Sequence, residues 1–427
     1  MAKPNKHKQK SAPRYDKQKS NARSTAPDQA AATPATGAAV ERQQVKSPPP
    51  SPVVTLEPLA PLIVRSGRPF DGQTGADPAR FPPPSTVAGC LRTAWARATG
   101  RPFNLDLAQL TIAAPLLVRV DHAGQIVSYL VPKPADAQYF GEGDDARCIR
   151  AEPRKLEDGC GTDLPAGLLP VRLNVDEKVK ASKGPAWWDL DDLRNFRRGQ
   201  PVDHKRLTER GWSPPAGDKR THVAIDERTL ASETSRLFQT EGLDFAADNQ
   251  WLKKTDVPSV RLLARCAEPL AAGLVHLGGE RRLARLQPEA ETVWPQPPAN
   301  WFADIAKSGG LTLTLLTSAC FAAGYRPDWL NDQLIGSPPT APDVELQLVA
   351  AAVERWQPHS GWDLVTQAPR PTRKSVAAGA TYWFKLVNQP PAETLAALWL
   401  TSICDADQDR HDGFGLALPA AWSPITD

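Results

Sequence analysis

The chain has 427 residues, of which 41% are apolar and 23% charged, close to the averages of globular proteins. Its 43 prolines exclude a helical bundle or a coiled coil, because proline breaks helix interiors. The net charge of +3 combines +7 on residues 1–50 with −4 on the remainder. A globally basic nucleic-acid-binding protein is thereby excluded, and any nucleic-acid surface of the folded part must be a local patch.

The six cysteines are too scattered for a structural zinc site or a disulfide framework. The first ten residues lack the apolar stretch of a secretory signal, and the longest apolar run, 311–323, is too short to span a bilayer. We therefore expect a soluble, cytoplasmic protein that holds no metal and no other cofactor.

The first half of the chain predicts a tail followed by an α/β unit. Residues 1–52 are rich in Lys, Pro and Ala with few large apolar side chains, which predicts a disordered basic tail. A strand is predicted over 53–64, a helix over 85–100 capped by Ser85 or Thr86, and a hairpin over 115–131. Strand, helix and hairpin form the opening of a ferredoxin-like βαββαβ unit.

The second half predicts an insertion and a second α/β unit. Residues 178–220 carry a local net charge of +5, which favours a helical insertion with a Pro-rich loop. The Pro- and Trp-rich segments 181–220 and 288–301 are candidate partner surfaces. A central strand is predicted over 311–324, a strand over 376–386, an amphipathic helix over 393–404, and a Gly-rich turn with a final strand over 413–422.

Four separated segments resemble one known family. They are LAPLIVRSGRPFDG with FPPPSTVAGCLRTAWARATG, then THVAIDERTLASETSRLFQTEGLDF, then VHLGGERRLARL, and finally RKSVAAGATYWFKL with GFGLALPAAW. Together, from Leu56 to Trp422, they resemble the third-subunit family of the Cmr complex. That complex is the type III-B CRISPR effector, and the family belongs to the repeat-associated mysterious protein (RAMP) superfamily.

The resemblance implies an α+β fold of two ferredoxin-like (RRM-like) RAMP domains. We place the N-terminal domain at 53–260, with an insertion at about 141–220, and the C-terminal domain with its Gly-rich loop at 261–427. It further implies a non-catalytic subunit that helps bind the 5′ tag of the CRISPR RNA (crRNA). The implied partners are the large Palm-domain subunit and a backbone RAMP subunit, with target RNA met only indirectly.

Arginines in a Gly-rich loop suggest a clamp on the RNA backbone. Arg65 and Arg68 follow the first predicted strand, and Arg92 lies on the helix after it. Guanidinium groups bind phosphate through two parallel hydrogen bonds, and glycine lets a backbone approach closely. The alternative is that these arginines pair with acids such as Asp71 or with a partner subunit.

Three further segments are candidate RNA contacts. Gly413-Phe414-Gly415 resembles loops that RAMP proteins use beside RNA, with Phe414 either stacked on a base or part of the core. Arg281 lies in a basic loop that is a candidate RNA contact. The alternative is a tight hairpin whose charged face is solvated. Arg373 and Lys374 form a third basic cluster, immediately before an aromatic strand.

Two alternative functions remain open from the sequence. One is a metal-independent endoribonuclease that processes CRISPR repeat RNA with a histidine base. His411, beside the Gly-rich loop, is the one candidate, although Asp407, Asp409 and Asp412 suggest a solvated acidic turn there. The other is a scaffold that contacts protein only.

Overall fold

The structure is a computed structural model that describes residues 48–64, 79–173, 180–245, 259–363 and 368–425. Most of the predicted tail and the loop containing Arg65 and Arg68 lie outside the described residues. Residues Ser47–Asp427 form one unit, and no helix in the described ranges is long and apolar enough to cross a membrane.

Within the described ranges, twelve strands precede residue 290. They are β1 (Ser51–Pro58), β2 (Ile112–Val120), β3 (Ile126–Pro132), β4 (Ala137–Phe140), β5 (Arg147–Pro153), β6 (Val171–Leu173), β7 (Trp187–Asp189), β8 (Asp218–Ile225), β9 (Ser232–Gly242), β10 (Ser259–Leu270), β11 (Gly273–His276) and β12 (Leu283–Glu289).

Ten strands follow. They are β13 (Gly310–Leu315), β14 (Ile335–Gly336), β15 (Leu346–Ala352), β16 (Gln357–His359), β17 (Trp362–Asp363), β18 (Ala368–Pro369), β19 (Arg373–Ser375), β20 (Thr381–Leu386), β21 (Thr401–Ser402) and β22 (Leu416–Ala421). The helices are α1 (Pro84–Thr99), α2 (Leu190–Arg197), α3 (His204–Arg210), α4 (Trp301–Ser308), α5 (Ala392–Leu395) and α6 (Asp407–Asp412).

Two large antiparallel sheets share one internal strand order. The first sheet runs β11-β12-β1-β10-β2-β3-β7 and the second runs β14-β15-β20-β13-β22-β21. Four strands of each sheet follow the same arrangement when they are numbered one to four in chain order. Strand one lies between strands three and four, and strand two pairs with the other edge of strand three. These four strands are β1, β2, β10 and β12 in the first sheet, and β13, β15, β20 and β22 in the second. The predicted α+β class is therefore confirmed.

The predicted domain boundary at residue 260 is wrong with respect to the sheets. It cuts through β10, which pairs along its length with both β1 and β2 at the centre of the first sheet. The first sheet continues to Glu289, and the second begins at Gly310. Long-range pairing decides this membership, because β10 is separated from β1 by two hundred residues of chain.

The hairpin and the first helix are confirmed. β2 and β3 pair around a turn in which Asp121 Oδ1 accepts hydrogen bonds from the backbone N–H groups of Ala123 and Gln125. The predicted cap of α1 is wrong, since Pro83 is the N-cap and no side chain caps the helix. Gly100 ends it in the left-handed conformation, with φ of 67°.

Three predictions near the C-terminus are too long. The central strand ends at Leu315, because the Thr317 hydroxyl donates to the Gly413 carbonyl and accepts from the Leu416 N–H. Gly379, with φ of 94°, separates β19 from β20. The helix predicted over 393–404 is α5 followed by a 3-10 turn over Ala396–Leu398, and it ends there because Trp399 is extended and Leu400 adopts a left-handed φ of 51°.

The two large sheets share one apolar core. Val118 and Leu263 of the first sheet belong to the same buried cluster as Leu313 and Phe384 of the second. The opposite face of the first sheet packs against α1 through a separate cluster that includes Leu91. The fold therefore places α1 on the outer face of the first sheet and the second sheet toward its inner face.

A buried ion pair ties α2 and the segment before β4 to the second sheet. The guanidinium of Arg197, at the end of α2, donates to both carboxylate oxygens of Asp136 at 2.6 and 2.8 Å. Its remaining N–H groups donate to the hydroxyls of Thr314 on β13 and Thr381 on β20, at 2.8 and 2.7 Å. Every one of these four side chains is buried, so the network fixes α2 against the second sheet.

The tryptophans of the predicted partner surfaces lie in the core. Trp187, Trp188 and Trp212 of the first segment, and Trp294 and Trp301 of the second, are all buried. These segments are therefore not exposed through their aromatic side chains, which corrects the prediction. Trp188, Trp294 and Trp301 belong to the core that the two sheets share, and Trp187 and Trp212 belong to the cluster that packs against α1.

Candidate nucleic-acid interface

A cavity of about 500 Å³ lies where the first turn of α1 meets both large sheets. One wall is the segment Arg80–Pro84, and another is formed by Trp187. Residues 316–318, after β13, and residues 357–360, around β16, complete it. Val64, the last described residue before the 65–78 gap, also lines the cavity.

Three prolines set how the chain approaches α1. Pro83 is extended, with φ of −67° and ψ of 158°, and Pro84 occupies the first helical position, where its missing N–H costs nothing. The proline rings thus position the first turn at the cavity without a capping side chain. The partial positive charge of a helix N-terminus favours an anion there, although Pro84 has no N–H to donate and the Thr86 N–H donates to the Pro83 carbonyl at 3.0 Å.

Aromatic rings form the apolar wall. The Phe81 and Trp187 rings lie 4.6 Å apart, tilted by 48°, and Trp187 contacts Trp212 edge-on with centroids 6.4 Å apart. Phe81 is half-buried, while Trp187 is 7% exposed. Phe81 is therefore the ring that offers a face to a bound group, supported by the rings behind it.

The polar lining holds a cation, Arg80, a neutral imidazole, His359, and a carboxylate, Glu354, which lies 3.8 Å from Lys133 Nζ. Arg80 lines the cavity and has no ion-pair partner among the described residues. His359 lies opposite in the lining, with its ring 4.9 Å from that of Phe414. Burial, reinforced by the nearby Arg373 charge, lowers the pKa of His359 to about 4. At neutral pH, His359 thus offers an uncharged donor and acceptor.

Beside the cavity, α6 forms a buried acidic turn that is fully paired. Arg92 donates to Asp412 Oδ1 at 2.5 Å, to the His411 carbonyl at 2.9 Å and to the Leu110 carbonyl at 3.0 Å. Asp409 and Asp412 are each 3% exposed, so the prediction of a solvated turn is wrong for both. Ion pairing to arginines of α1 and β19 is what allows these carboxylates to be buried.

The arginine of β19 joins the same turn. Arg373 donates to the two oxygens of Asp409 at 2.8 and 2.7 Å, and this hydrogen bonding raises its pKa. The next residue, Lys374, points elsewhere and lies over the Trp356 ring, 5.4 Å from its centroid. The β16–β19 strand pair is therefore tied to α6 through Arg373, and it supplies four cavity-lining residues, Gln357, Pro358, His359 and Ser375.

The Gly-rich loop packs against β2. Gly413 has φ of 87°, and a Cβ atom there would lie 2.6 Å from the Ile112 carbonyl oxygen. Gly415 has φ of 70° and is equally crowded by Cys404. Close backbone packing thus requires both glycines. Phe414 between them is fully buried, so its ring is a core residue, and the prediction that it could stack on a base is wrong for this structure.

Comparison with known proteins decides the family. The family model described as CRISPR-associated protein (Cas_Cmr3) matches residues 54–422. The chain belongs to this family. It is also similar in fold to a chain in two cryo-EM structures of the Type III-B Cmr-beta complex, one bound to cognate target RNA and AMPPnP and one to cognate target RNA. Identities are 15% and 16%; each match covers 78% of this chain and 86% of the other, with a TM-score of 0.42. No curated protein matches the chain.

The site residues predicted for this family member separate into two groups. Arg92, Arg373, Gly413, Phe414 and Gly415 come together around α6, where they hold structure. Arg92 thus forms a structural ion pair with Asp412, in line with the alternative that these arginines pair with acidic side chains. Arg281 lies apart, at φ of 52° in the turn between β11 and β12, and its carbonyl oxygen is 3.1 Å from His276 Nδ1. The segment around Arg281 is therefore the tight hairpin that the sequence offered as the alternative to an RNA-binding loop.

His411, the candidate catalytic base, does not line the cavity. Its carbonyl accepts from Arg92, and its Nδ1 atom is buried with no hydrogen-bond partner. The described residues also contain no cluster of acidic, His and Cys side chains suited to a metal.

Sequence reasoning missed Arg80 and His359. Arg80 was readable as the residue before Phe-Pro-Pro-Pro, which fixes it at the first turn of α1. His359 gave no local signal, because its place in the lining follows from the β16–β19 pairing. The sequence likewise could not show that Asp409 and Asp412 would meet arginines from two distant elements.

Proposed function

We propose that the chain is a non-catalytic, RNA-binding subunit of a type III-B CRISPR (Cmr) interference complex. In this proposal, the cavity beside α1 helps bind the 5′ tag of the crRNA. The observation that carries it is that one cavity wall groups Arg80, which has no ion-pair partner in the described ranges, with the first turn of α1 and the Phe81 ring. Membership of the Cas_Cmr3 family supports the same assignment.

The lining suits a nucleotide of a single strand. A guanidinium and a helix N-terminus favour phosphate, and an aromatic face stacks on any base. The Arg65 and Arg68 segment, which starts directly after cavity-lining Val64, remains a predicted part of this clamp. Neutral His359 and the hydroxyl group of Ser318 add hydrogen-bonding groups for base or ribose.

The repeated strand order supports two ferredoxin-like RAMP units. A βαββαβ unit orders its strands 4-1-3-2. That order holds for β12-β1-β10-β2 and again for β22-β13-β20-β15. Each sheet departs from the ideal by replacing one crossover helix with loops or hairpins.

Docking to other subunits is assigned to the β8–β9 hairpin rather than to the Trp-rich segments. Val223 and Leu237 pair across this hairpin and are 39% and 66% exposed, and Ile225 on the same face is 51% exposed. A contiguous exposed apolar face marks an interaction site. We assign it to a neighbouring subunit, either the large Palm-domain subunit or the backbone RAMP subunit.

The test of the cavity is charge reversal in the assembled complex. We expect Arg80→Glu to lower crRNA retention about tenfold or more, because one phosphate contact becomes a repulsion. Arg97→Glu, at the exposed opposite end of the same helix, is the matched control and should retain crRNA. Full retention in the Arg80 variant would contradict the cavity assignment. Cleavage of repeat RNA by the purified chain would instead support the endoribonuclease.

A further inference from the structure

A small sheet in the insertion places several arginines on one face. Strands β4, β5 and β6 form a separate three-stranded antiparallel sheet. Arg150 and Glu152 are two residues apart on β5, so their side chains point to the same face, and Arg154 continues this alternation just past the strand end. Arg172 of β6 lies directly opposite Glu152 and therefore shares this face.

The face carries more charge than its own residues balance. Arg172 is exposed and Arg154 is half-buried, and neither side chain has an ion-pair or hydrogen-bond partner among the described residues. The only carboxylate of the face, Glu152, lies 3.8 Å from Arg150 Nη1 and is 51% exposed. Within the described part of the chain, two guanidinium groups thus have no compensating carboxylate, although the net charge beyond residue 50 is −4.

The end of α2 lies next to Arg150 and is followed by a further exposed arginine. Arg150 lies over the Phe196 ring, 4.1 Å from its centroid, and donates to the Phe196 carbonyl in the last turn of α2. A Cβ on Gly199 would be 3.8 Å from Arg150 Nη1. The adjacent Arg198 is exposed and stacks on Trp301, 4.8 Å from the ring centroid. Aromatic faces therefore hold both guanidinium groups in place, which lowers the entropy lost on binding.

We propose that Arg150, Arg154, Arg172 and Arg198, the arginine strip, bind the phosphate backbone of single-stranded RNA outside the tag cavity. Alternate positions of a strand are about 6.6 Å apart, which is on the scale of successive phosphates in an extended strand. Strands β4 to β6 expose no large apolar side chain, whereas the centre of a protein-docking face is apolar. The strip thus favours a polyanion without base selectivity.

The test uses the full-length chain and a fluorescent 20-nucleotide oligouridylate, which lacks any tag sequence. We expect the double variant Arg154→Gln/Arg172→Gln to weaken binding about tenfold near 0.1 M salt. The slope of log K against log salt should become shallower by about 1.4, since each single-strand phosphate contact contributes about 0.7. Circular dichroism checks that the small sheet is retained.

The matched control is Arg97→Gln/Arg265→Gln, which removes the same charge from two other exposed arginines. The control should keep the wild-type slope. An unchanged slope in the strip variant, or an equal loss in the control, would overturn the proposal. So would intact RNA binding combined with lost subunit association, because the strip would then be an acidic-protein contact. Arg80→Glu reports on the tag cavity separately, so either site can fail alone.

Discussion

At the scale of single residues, glycine at position 413 is required for two separable reasons. It combines a φ of 87° with a carbonyl oxygen 2.6 Å from any added Cβ. Gly124 has a similar φ of 81°, but a Cβ there would have no atom within 4 Å. A substitution at Gly124 therefore measures the cost of the backbone conformation alone. We expect Gly124→Ala to cost about 1 kcal/mol of unfolding free energy and Gly413→Ala about 3 kcal/mol or more.

Urea unfolding of both glycine variants measures this difference directly. Similar losses in the two proteins would mean that β2 and the loop can move apart, and that packing against Ile112 does not require glycine. The comparison matters for function, because this loop holds α6 and, through α6, the hairpin at the cavity wall.

His359 makes stability depend on pH in a defined window. Its pKa is lowered from the usual 6.5 to about 4, so the unfolded chain binds a proton that the folded chain excludes. The contribution to stability is complete above pH 6.5 and is lost progressively as the pH falls toward 4. We expect His359→Asn to show a shallower fall of unfolding free energy over this range.

The control for His359 is His122→Asn, a change in the exposed turn after β2. Chemical denaturation at a series of pH values between 7 and 4.5 supplies the free energies. Parallel curves for the wild type and the His359 variant would show that the imidazole is protonated as readily in the folded protein as in the unfolded chain.

At the scale of elements, the β8–β9 hairpin is expected to be energetically independent of the body. Lys219 pairs with Glu241 at its base, and Val223 with Leu237 further along. A two-stranded hairpin is marginally stable alone, and its exposed apolar face adds little without a partner. Replacing residues 220–240 by a short Gly-Ser turn should change the unfolding free energy by less than about 1 kcal/mol.

Two measurements check the hairpin deletion. Urea unfolding tests stability, and reconstitution with the other Cmr subunits tests docking, which we expect to weaken. A large loss of stability would show that the hairpin supports the body. Unimpaired assembly would remove it as a docking surface.

At the scale of the whole molecule, the Arg197 network joins the insertion to the second sheet. Removing one partner of a buried pair leaves an uncompensated charge, which costs about 3–5 kcal/mol. We expect Arg197→Leu to destabilise the chain by that amount, because Asp136 is fully buried. The control is Arg265→Leu, on an exposed arginine of the first sheet, which should change the unfolding free energy little. An equally small loss in Arg197→Leu would show that water enters the site and hydrates Asp136.

Local signals predicted much of the fold. The β2–β3 hairpin followed from turn residues between apolar runs, and α1 from helical spacing ended by Gly100. Strand and helix limits near the C-terminus were less accurate, because Thr317, Gly379 and Leu400 end their elements through tertiary contacts or backbone conformation. The candidate site was predictable at the Arg80–Pro84 segment, and its His359 wall was not.

The sequence by itself determined the family, the α+β class and the sites of the main turns, because these depend on short-range pattern and on matched segments. Only the tertiary structure decided which arginines are used internally and which stay available. Arg92, Arg197 and Arg373 meet buried carboxylates from distant segments, whereas Arg80 and Arg172 meet none among the described residues. Ion pairing depends on distances across the fold, which residue type and spacing do not contain.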